Sequence, residues 1–512
     1  MIQSKKMMVY RILIVGALII LQLAWLVYFL LSLTKYSVWI SAAFTLISVA
    51  AVLVVINRWE NPAYKLAWVV PILIFPLLGG LMFLCFGTRR PSKKLRNKLE
   101  RSEAAIKPHI KQKEEVLECL KAQDEQAYGQ TRYLAKYANA PVYQNTETVY
   151  FSSGEENFPY ILEELKKAEH FIFMEYFIID EGRMWNSILE ILKEKAAAGV
   201  DVRLLYDDVG CLHLLPFDYY KTLRSYGIKC EVFNPFVPFF SVVMNNRDHR
   251  KILVIDGHTG FTGGINLADE YINEKERFGY WKDTGIMLKG DAVWNLTTMF
   301  LQTWNALCPT DQEFDKFRPQ VYQKEPVTGD GFVQPYGDSP LDFENVGENV
   351  YLNIINMAKR YVYMSTPYLI IDNEIITALC LAAKRGVDVR IVTPHIPDKK
   401  FAFMLTQSYY GQLIQGGVKI YEFEPGFIHA KCFVSDDTTA TVGTVNLDYR
   451  SLYLHFECGV YLYRTASVQQ IKADALKTIE QSIPITAEVL KQQHKPGRML
   501  KQALLRLLAP LF

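Results

Sequence analysis

The chain has 512 residues, too many for one compact domain at about 150 residues per domain, so two or more globular units are expected. Its 56 Lys and Arg against 54 Asp and Glu leave a net charge of +2, which argues against a nucleic-acid binder with an overall basic excess. Half of the residues are apolar and 21% are charged, a balance that excludes global disorder and leans toward membrane contact.

From Ile12 to Leu33 the chain runs 22 residues without a charge, and from Val38 to Ile56 another 19. At 1.5 Å per helical residue each can cross about 30 Å of hydrocarbon, so both are read as spanning helices. The first is too long for a signal-peptide core and lacks a small-residue cleavage site. A third apolar run, Leu66 to Phe86, carries Pro71, Pro76, Gly79 and Gly80 and is expected to be kinked or re-entrant. Lys5, Lys6 and Arg11 precede the first run, and Arg89, Arg90, Lys93, Lys94, Arg96, Lys98 and Arg101 follow the third. Positive charge at both ends favours two crossings plus a re-entrant segment, with the rest of the chain at the cytoplasmic face of the cell membrane. Residues 1–103 are thus read as a multi-pass anchor and 104–140 as a charged helical connector.

The remainder is duplicated. Gly199-Val200-Asp201-Val202-Arg203 recurs as Gly386-Val387-Asp388-Val389-Arg390, each after an apolar helical pattern and before a β-branched run. Strand and helix patterns alternate in both copies, which predicts an α/β fold with largely parallel or mixed sheets, the halves spanning 141–325 and 326–490. Residues 491–512 read as an amphipathic helix, either interfacial or docked on the body.

The sharpest repeat is His249-x-Lys251 followed by Asp256, and His429-x-Lys431 followed by Asp436. Gly263 and Asn266 follow the first His by 14 and 17 residues, and Gly443 and Asn446 follow the second at the same spacing. On a strand, residues two apart share a face, so each half presents one imidazole beside one ammonium. Asn266 with Gly264, and Asn446 with Thr444, come off turns whose donors can hold phosphate oxygens. If the halves pack about a pseudo-twofold axis, this set suits phosphodiester chemistry: one imidazole attacks phosphorus, the other protonates the leaving oxygen, and the lysines stabilise developing charge. Asp283 and Glu457, each opening a later strand, are candidates for orienting the imidazoles. Asp256 and Asp436 are counted with the catalytic set, a structural role being equally open. The eight Cys lack ligand spacing and no metal site or cofactor is expected.

These residues resemble the phospholipase D superfamily, whose two H-x-K-x4-D motifs mark pseudo-symmetric α/β/α sandwich halves sharing one active site. Asn61-Pro62-Ala63, Phe75-Pro76-Leu77-Leu78-Gly79, Val333-Gln334-Pro335-Tyr336-Gly337-Asp338 and the C-terminal Leu507-Leu508-Ala509-Pro510-Leu511-Phe512 narrow the resemblance to bacterial cardiolipin synthases, over nearly the whole chain. That resemblance implies transfer of a phosphatidyl group from one phosphatidylglycerol to another, giving cardiolipin and glycerol through a phosphatidyl-histidine. The alternatives are a phospholipase D or another phosphatidyltransferase, a nuclease on the same fold, and a scaffold. No nucleic-acid partner is expected, and a homo-oligomer is left open. Phe236-Val237-Pro238-Phe239-Phe240 and Phe401-Ala402-Phe403-Met404 are candidates for admitting acyl chains, with core packing as the alternative. His249 is read as the nucleophile and His429 as the acid.

Overall fold

The computed structural model describes residues 37–87, 91–235, 245–323, 325–342, 344–493 and 496–511, with five single positions ahead of residue 37. Apart from those five positions the first apolar run lies outside these residues, as does the stretch 236–240. The chain divides at Arg89 and Arg90 into an N-terminal unit and a larger body.

The N-terminal unit holds α1 (Ser37–Ile56), α2 (Pro62–Ile74) and α3 (Pro76–Phe86). Asn61 starts α2, its Oδ1 accepting from Ala63 N at 2.9 Å while Pro62 fills the first turn, where no N–H is needed. Pro76 ends α2: proline drives its predecessor out of the helical region, and Phe75 sits at φ −126°, ψ 77°. The third apolar run is therefore two short helices broken at Phe75. Tyr64, Trp68 and Ile72 of α2 pack with Val55 and Phe83, the Trp68 and Phe83 rings meeting edge to face at 5.5 Å. Leu46, Leu53, Leu73 and Leu84 remain exposed on the outside. Among the described residues no helix is long and apolar enough to cross a membrane.

The first half of the body contributes β1 (Thr146–Phe151), β2 (Phe171–Tyr176), β3 (Asp201–Asp207), β4 (Lys229–Phe233), β5 (Lys251–Ile255), β6 (Thr259–Gly263), β7 (Tyr280–Lys282) and β8 (Gly285–Gly290). The second half contributes β9 (Phe332–Asp338), β10 (Tyr361–Ser365), β11 (Leu369–Ile370), β12 (Asp388–Pro394), β13 (Lys419–Phe423), β14 (Gly426–Ile428), β15 (Cys432–Ser435), β16 (Thr439–Gly443), β17 (Leu447–Asp448), β18 (Glu457–Tyr463) and β19 (Ser482–Ile485). One sheet runs β1-β8-β6-β5-β2-β3-β4, and the other repeats that order as β9-β18-β16-β15-β10-β12-β13, with β19 added at its edge. Within these two sheets only the strands joined by helical crossovers, β2-β3-β4 and β10-β12-β13, are mutually parallel. The expected mixed α/β repeat is therefore present strand for strand.

Both faces of each sheet are covered, so central strands are apolar throughout. In β5, Ile252 and Val254 join a core shared with Val434, Val442 and Val460 of the other sheet, while Leu253 and Ile255 pack beneath the helices Gly154–Lys167 and Arg183–Ala197. The helix Val293–Leu307 supplies Trp294, Phe300 and Trp304 to the shared core.

One segment differs from the sequence reading, and a second takes one of the two places that reading allowed. The helix Lys93–Ile106, assigned to the end of the anchor and the start of the connector, turns Leu95, Leu99, Ser102 and Ile106 to one side and packs on the body: Leu99 and Ile106 enter the shared core, and Ser102 Oγ donates to Gln302 O at 2.7 Å. The C-terminal helix Pro496–Leu508 binds the body through its polar side. Arg506 lies 4.5 Å over the Tyr409 ring and Gln502 Nε2 donates to Met404 O at 3.3 Å, leaving Leu500 64% and Leu504 56% exposed.

Candidate active site

Backbone pairing across the halves builds the site. Asp248 pairs in parallel with Phe456, and β14 pairs in parallel with β7 so that Ile428 faces Lys282. His249 N donates to Phe456 O at 2.9 Å, and His429 N to Lys282 O at 2.7 Å. Each histidine thus starts beside the residue that precedes the acid of the opposite half, the same relation occurring twice. This is the pseudo-twofold arrangement expected from the repeat.

The side chains follow. His249 Nδ1 lies 2.9 and 3.0 Å from the two carboxylate oxygens of Glu457, and His429 Nδ1 lies 2.6 Å from Asp283 Oδ2. Both acids therefore orient a histidine, each that of the other half. Lys251 Nζ donates to His249 O and Lys431 Nζ to His429 O. Lys431 Nζ also reaches His429 Nδ1 at 2.8 Å, an arrangement for which no counterpart exists between Lys251 and His249 among the described residues. His249 Nδ1–H therefore has an acceptor alone, which fixes the lone pair on Nε2, whereas His429 Nδ1 stands between an acceptor and a donor.

All six groups are buried, and burial sets their titration. It pushes Lys251 down to about 8, against the pull of Glu457, and Lys431 down to about 7, against that of Asp283. Burial pushes Asp283 up to about 6, with Lys431 opposing. It lowers His249 to about 3 despite Glu457, and His429 well below its ordinary value with Lys431 adding to the shift. Burial would raise Glu457, but His249 beside it overcomes this and holds the carboxyl below its usual range. At neutral pH the resting pair is neutral His249 donating to ionised Glu457.

The turn residues also make contacts within the site. Asn266 is anchored within its half: Oδ1 accepts from Ile178 N at 3.0 Å and one Nδ2–H is donated to Tyr271 Oη at 2.7 Å. Asn446 is buried with its Oδ1 unpartnered among the described residues. Thr444 donates its hydroxyl to Glu457 Oε2. Gly264, at the matching place, backs against the Asp283 carboxylate so closely that any Cβ there would collide with it. Gly264 and Thr444 thus serve the orienting acids.

Asp256 and Asp436, counted with the catalytic set, stand at the far ends of β5 and β15 from the lysines, in left-handed conformation at φ 47° and 54°. Asp256 accepts from Glu169, His170 and Phe171 N, each at 2.8 Å, and Asp436 from Lys359, Arg360 and Tyr361 N at 2.6 to 3.0 Å. Each ties a strand end to the start of its neighbour, β2 or β10. Asp256→Ala should cost on the order of 3 kcal/mol in urea unfolding while the folded fraction keeps its turnover, because three N–H groups lose a charged acceptor. Turnover that vanishes in fully folded Asp256→Ala would return this residue to the reaction.

Sequence reasoning passed over His455 and Trp281. Their rings lie 5.6 Å from His249 and 5.5 Å from His429. Each precedes an orienting acid by two residues, so the rule that places His249 beside Lys251 would have found both had it been applied to Asp283 and Glu457. Phe177, 4.9 Å from His249, and Tyr271, 5.6 Å from His429, complete the aromatic walls.

Residues 161–290 and 351–478 each match the family model described as a cardiolipin synthase, phospholipase D-like domain, one match per half. The chain belongs to this phospholipase D-like cardiolipin synthase family. Residues 46–87 match a second model, the phospholipase D-nuclease N-terminal segment. A cardiolipin synthase of Alkalihalophilus pseudofirmus is 36% identical over 477 residues, 92% of this chain and 93% of its own. An uncharacterized protein of Streptococcus mutans is 48% identical over 463 residues, 90% of this chain and all of its own. The phosphatidylserine synthase of Haemophilus influenzae superposes with a TM-score of 0.56 at 16% identity, covering 75% of this chain and all of that one, a likeness of fold. Membership places the protein among the phosphatidyltransferases of the phospholipase D superfamily.

Proposed function

We propose that this protein is a membrane-attached cardiolipin synthase that joins two phosphatidylglycerol molecules, and that one observation carries the reading: two buried His-Lys pairs, each held by a carboxylate of the opposite half. His249 Nε2 attacks the donor phosphorus and the bond to the glycerol oxygen breaks as His429 gives that oxygen its proton. The products of this step are phosphatidyl-His249 and free glycerol. The terminal hydroxyl of a second phosphatidylglycerol then attacks phosphorus, His429 takes the hydroxyl proton, and the P–N bond breaks to restore neutral His249. Lys251 and Lys431 offset the negative charge that builds on the phosphoryl oxygens. A bound phosphodiester anion also favours the protonated imidazolium that the first step requires of His429.

Attachment to the membrane rests on the uncharged runs at Ile12–Leu33 and Val38–Ile56, the basic cluster after Gly87, and the outward leucines of the C-terminal helix. Holding acceptor lipid in the same surface favours an alcohol over water by raising its local concentration. Phe401, 73% exposed on the helix Lys400–Gln415, adds apolar surface toward lipid. Positive charge at both ends of the leader supports a body at the cytoplasmic face.

The test is purified protein with labelled phosphatidylglycerol in vesicles. Labelled cardiolipin with equimolar glycerol is expected, and added glycerol should slow its net formation by reversal. Phosphatidic acid as the main product would replace the synthase with a phospholipase D.

The pH dependence follows from the site. Asp283 must be ionised to orient His429, so kcat/KM should fall as pH drops through about 6. Lys431 and Lys251 must be charged, so it should also fall as pH rises through about 7 to 8. His429 must enter protonated although burial holds it well below its ordinary value, so the alkaline fall should begin below about 7, and a rate still climbing at pH 9 would exclude charged lysines from the rate-limiting step.

A further inference from the structure

Glu457 faces a second imidazole. His455 Nδ1 stands 3.6 Å from Glu457 Oε1, beyond hydrogen-bond reach, on a ring whose side chain is 11% exposed. Neither ring nitrogen of His455 has a hydrogen-bond partner among the described residues. A largely enclosed ring whose Nε2 has no hydrogen-bond partner and whose Nδ1 has only a long contact to Glu457 is costly unless something else occupies those nitrogens. One ligand atom each from His249, His455 and Glu457 lies within 4.8 Å of the others. The other half has no such set, because Trp281 stands where His455 does and an indole N–H cannot ligate.

We propose that His249, His455 and Glu457 form a binding site for a borderline-soft divalent cation, Zn²⁺ being the probe, and that its occupancy inhibits the enzyme. Two imidazoles and one carboxylate are the donor set zinc takes with a fourth position open, whereas Mg²⁺ and Ca²⁺ prefer oxygen. Tetrahedral bonds of about 2.0–2.1 Å bring ligand atoms to about 3.3 Å apart, so side-chain rotations of about 1.5 Å close the set. The cation takes the place of the Nδ1 proton between His249 and Glu457; that proton moves to Nε2, so the imidazole stays neutral and the already ionised Glu457 releases none. A metal on either nitrogen of His249 removes the attacking lone pair or the bond that presents it. Inhibition rests on His249 being the nucleophile; binding does not.

The experiment uses the full chain in detergent micelles, stripped with chelator and titrated with Zn²⁺ by calorimetry and with Co²⁺ by visible absorption. One tight Zn²⁺ is expected, unaffected by millimolar Mg²⁺, together with the intense tetrahedral Co²⁺ bands. His455→Asn, and His455→Trp copying the other half, should each weaken binding by more than about tenfold, since even outer-shell losses cost 10- to 100-fold. Unchanged affinity in folded samples of both variants, or no tight Zn²⁺ in the wild type, overturns the site. On phosphatidylglycerol, Zn²⁺ should inhibit and excess chelator should restore full activity, with His455→Asn needing higher Zn²⁺. His455-dependent binding without inhibition overturns the inhibitory role. An enzyme inactive on phosphatidylglycerol in every state fails the synthase reading and leaves the metal site standing.

Discussion

With a nitrophenyl ester of phosphatidic acid as donor, His429→Ala is expected to accumulate a covalent phosphatidyl enzyme while His249→Ala forms none. The asymmetry of the Nδ1 environments is the reason. His249 has Glu457 as its acceptor, at 2.9 Å, which keeps its lone pair on Nε2. His429 has Asp283 at 2.6 Å and Lys431 at 2.8 Å on the same nitrogen, a position suited to gaining and losing a proton through the cycle. Nitrophenolate leaves without a proton, so losing the acid spares the first step. It blocks the second, where the acceptor hydroxyl must be deprotonated. On phosphatidylglycerol both variants should lose about 10⁴-fold or more in turnover, because groups that act as a unit fail together. Intact-mass spectrometry reads the adduct. An adduct on residue 429 in His249→Ala would exchange the two roles, and absence of any adduct in either variant would sink the covalent mechanism.

The parts of the fold carried by local pattern were legible in the sequence. The repeat at a constant offset of 180 residues gave both halves and the shared site, because a motif duplicated with its flanking strands implies a duplicated sheet. Asp283 and Glu457 were found as acids opening a strand, but their partners were not: which histidine each one meets depends on the β7-β14 pairing and the Asp248-Phe456 bridge, which join residues well over 100 positions apart. Asp256 and Asp436 belong to the motif yet cap strand ends, because a seven-residue spacing carries them past the strand into a left-handed turn. Gly264 and Thr444 both read in sequence as parts of phosphate-holding turns. In space both positions press on an orienting acid, and Thr444 alone adds a hydrogen bond. The helix Lys93–Ile106 was misjudged because its charges dominate its composition, whereas four residues on one face decide where it packs.

Glu457→Gln should abolish adduct formation on His249, although Glu457 lies in the half that contains His429. A glutamine of the same volume can turn its amide N–H₂ toward His249 Nδ1 and offer a donor where an acceptor is needed. The imidazole proton then moves to Nε2 and the attacking lone pair is lost. A wrong tautomer of this kind costs roughly 10⁴-fold in the serine-protease triad, and a loss of about 10³ to 10⁴ is expected here. Asp283→Asn should lose a similar factor on phosphatidylglycerol by misdirecting His429. With the nitrophenyl donor, however, it should still load His249 and then stall. The two amide variants therefore reproduce, acid for histidine, the pattern of His249→Ala and His429→Ala with the halves exchanged. If Asp283→Asn abolished the adduct and Glu457→Gln spared it, each acid would serve the histidine of its own half, and the crossed pairing at 2.6 and 2.9 Å would not be the working one.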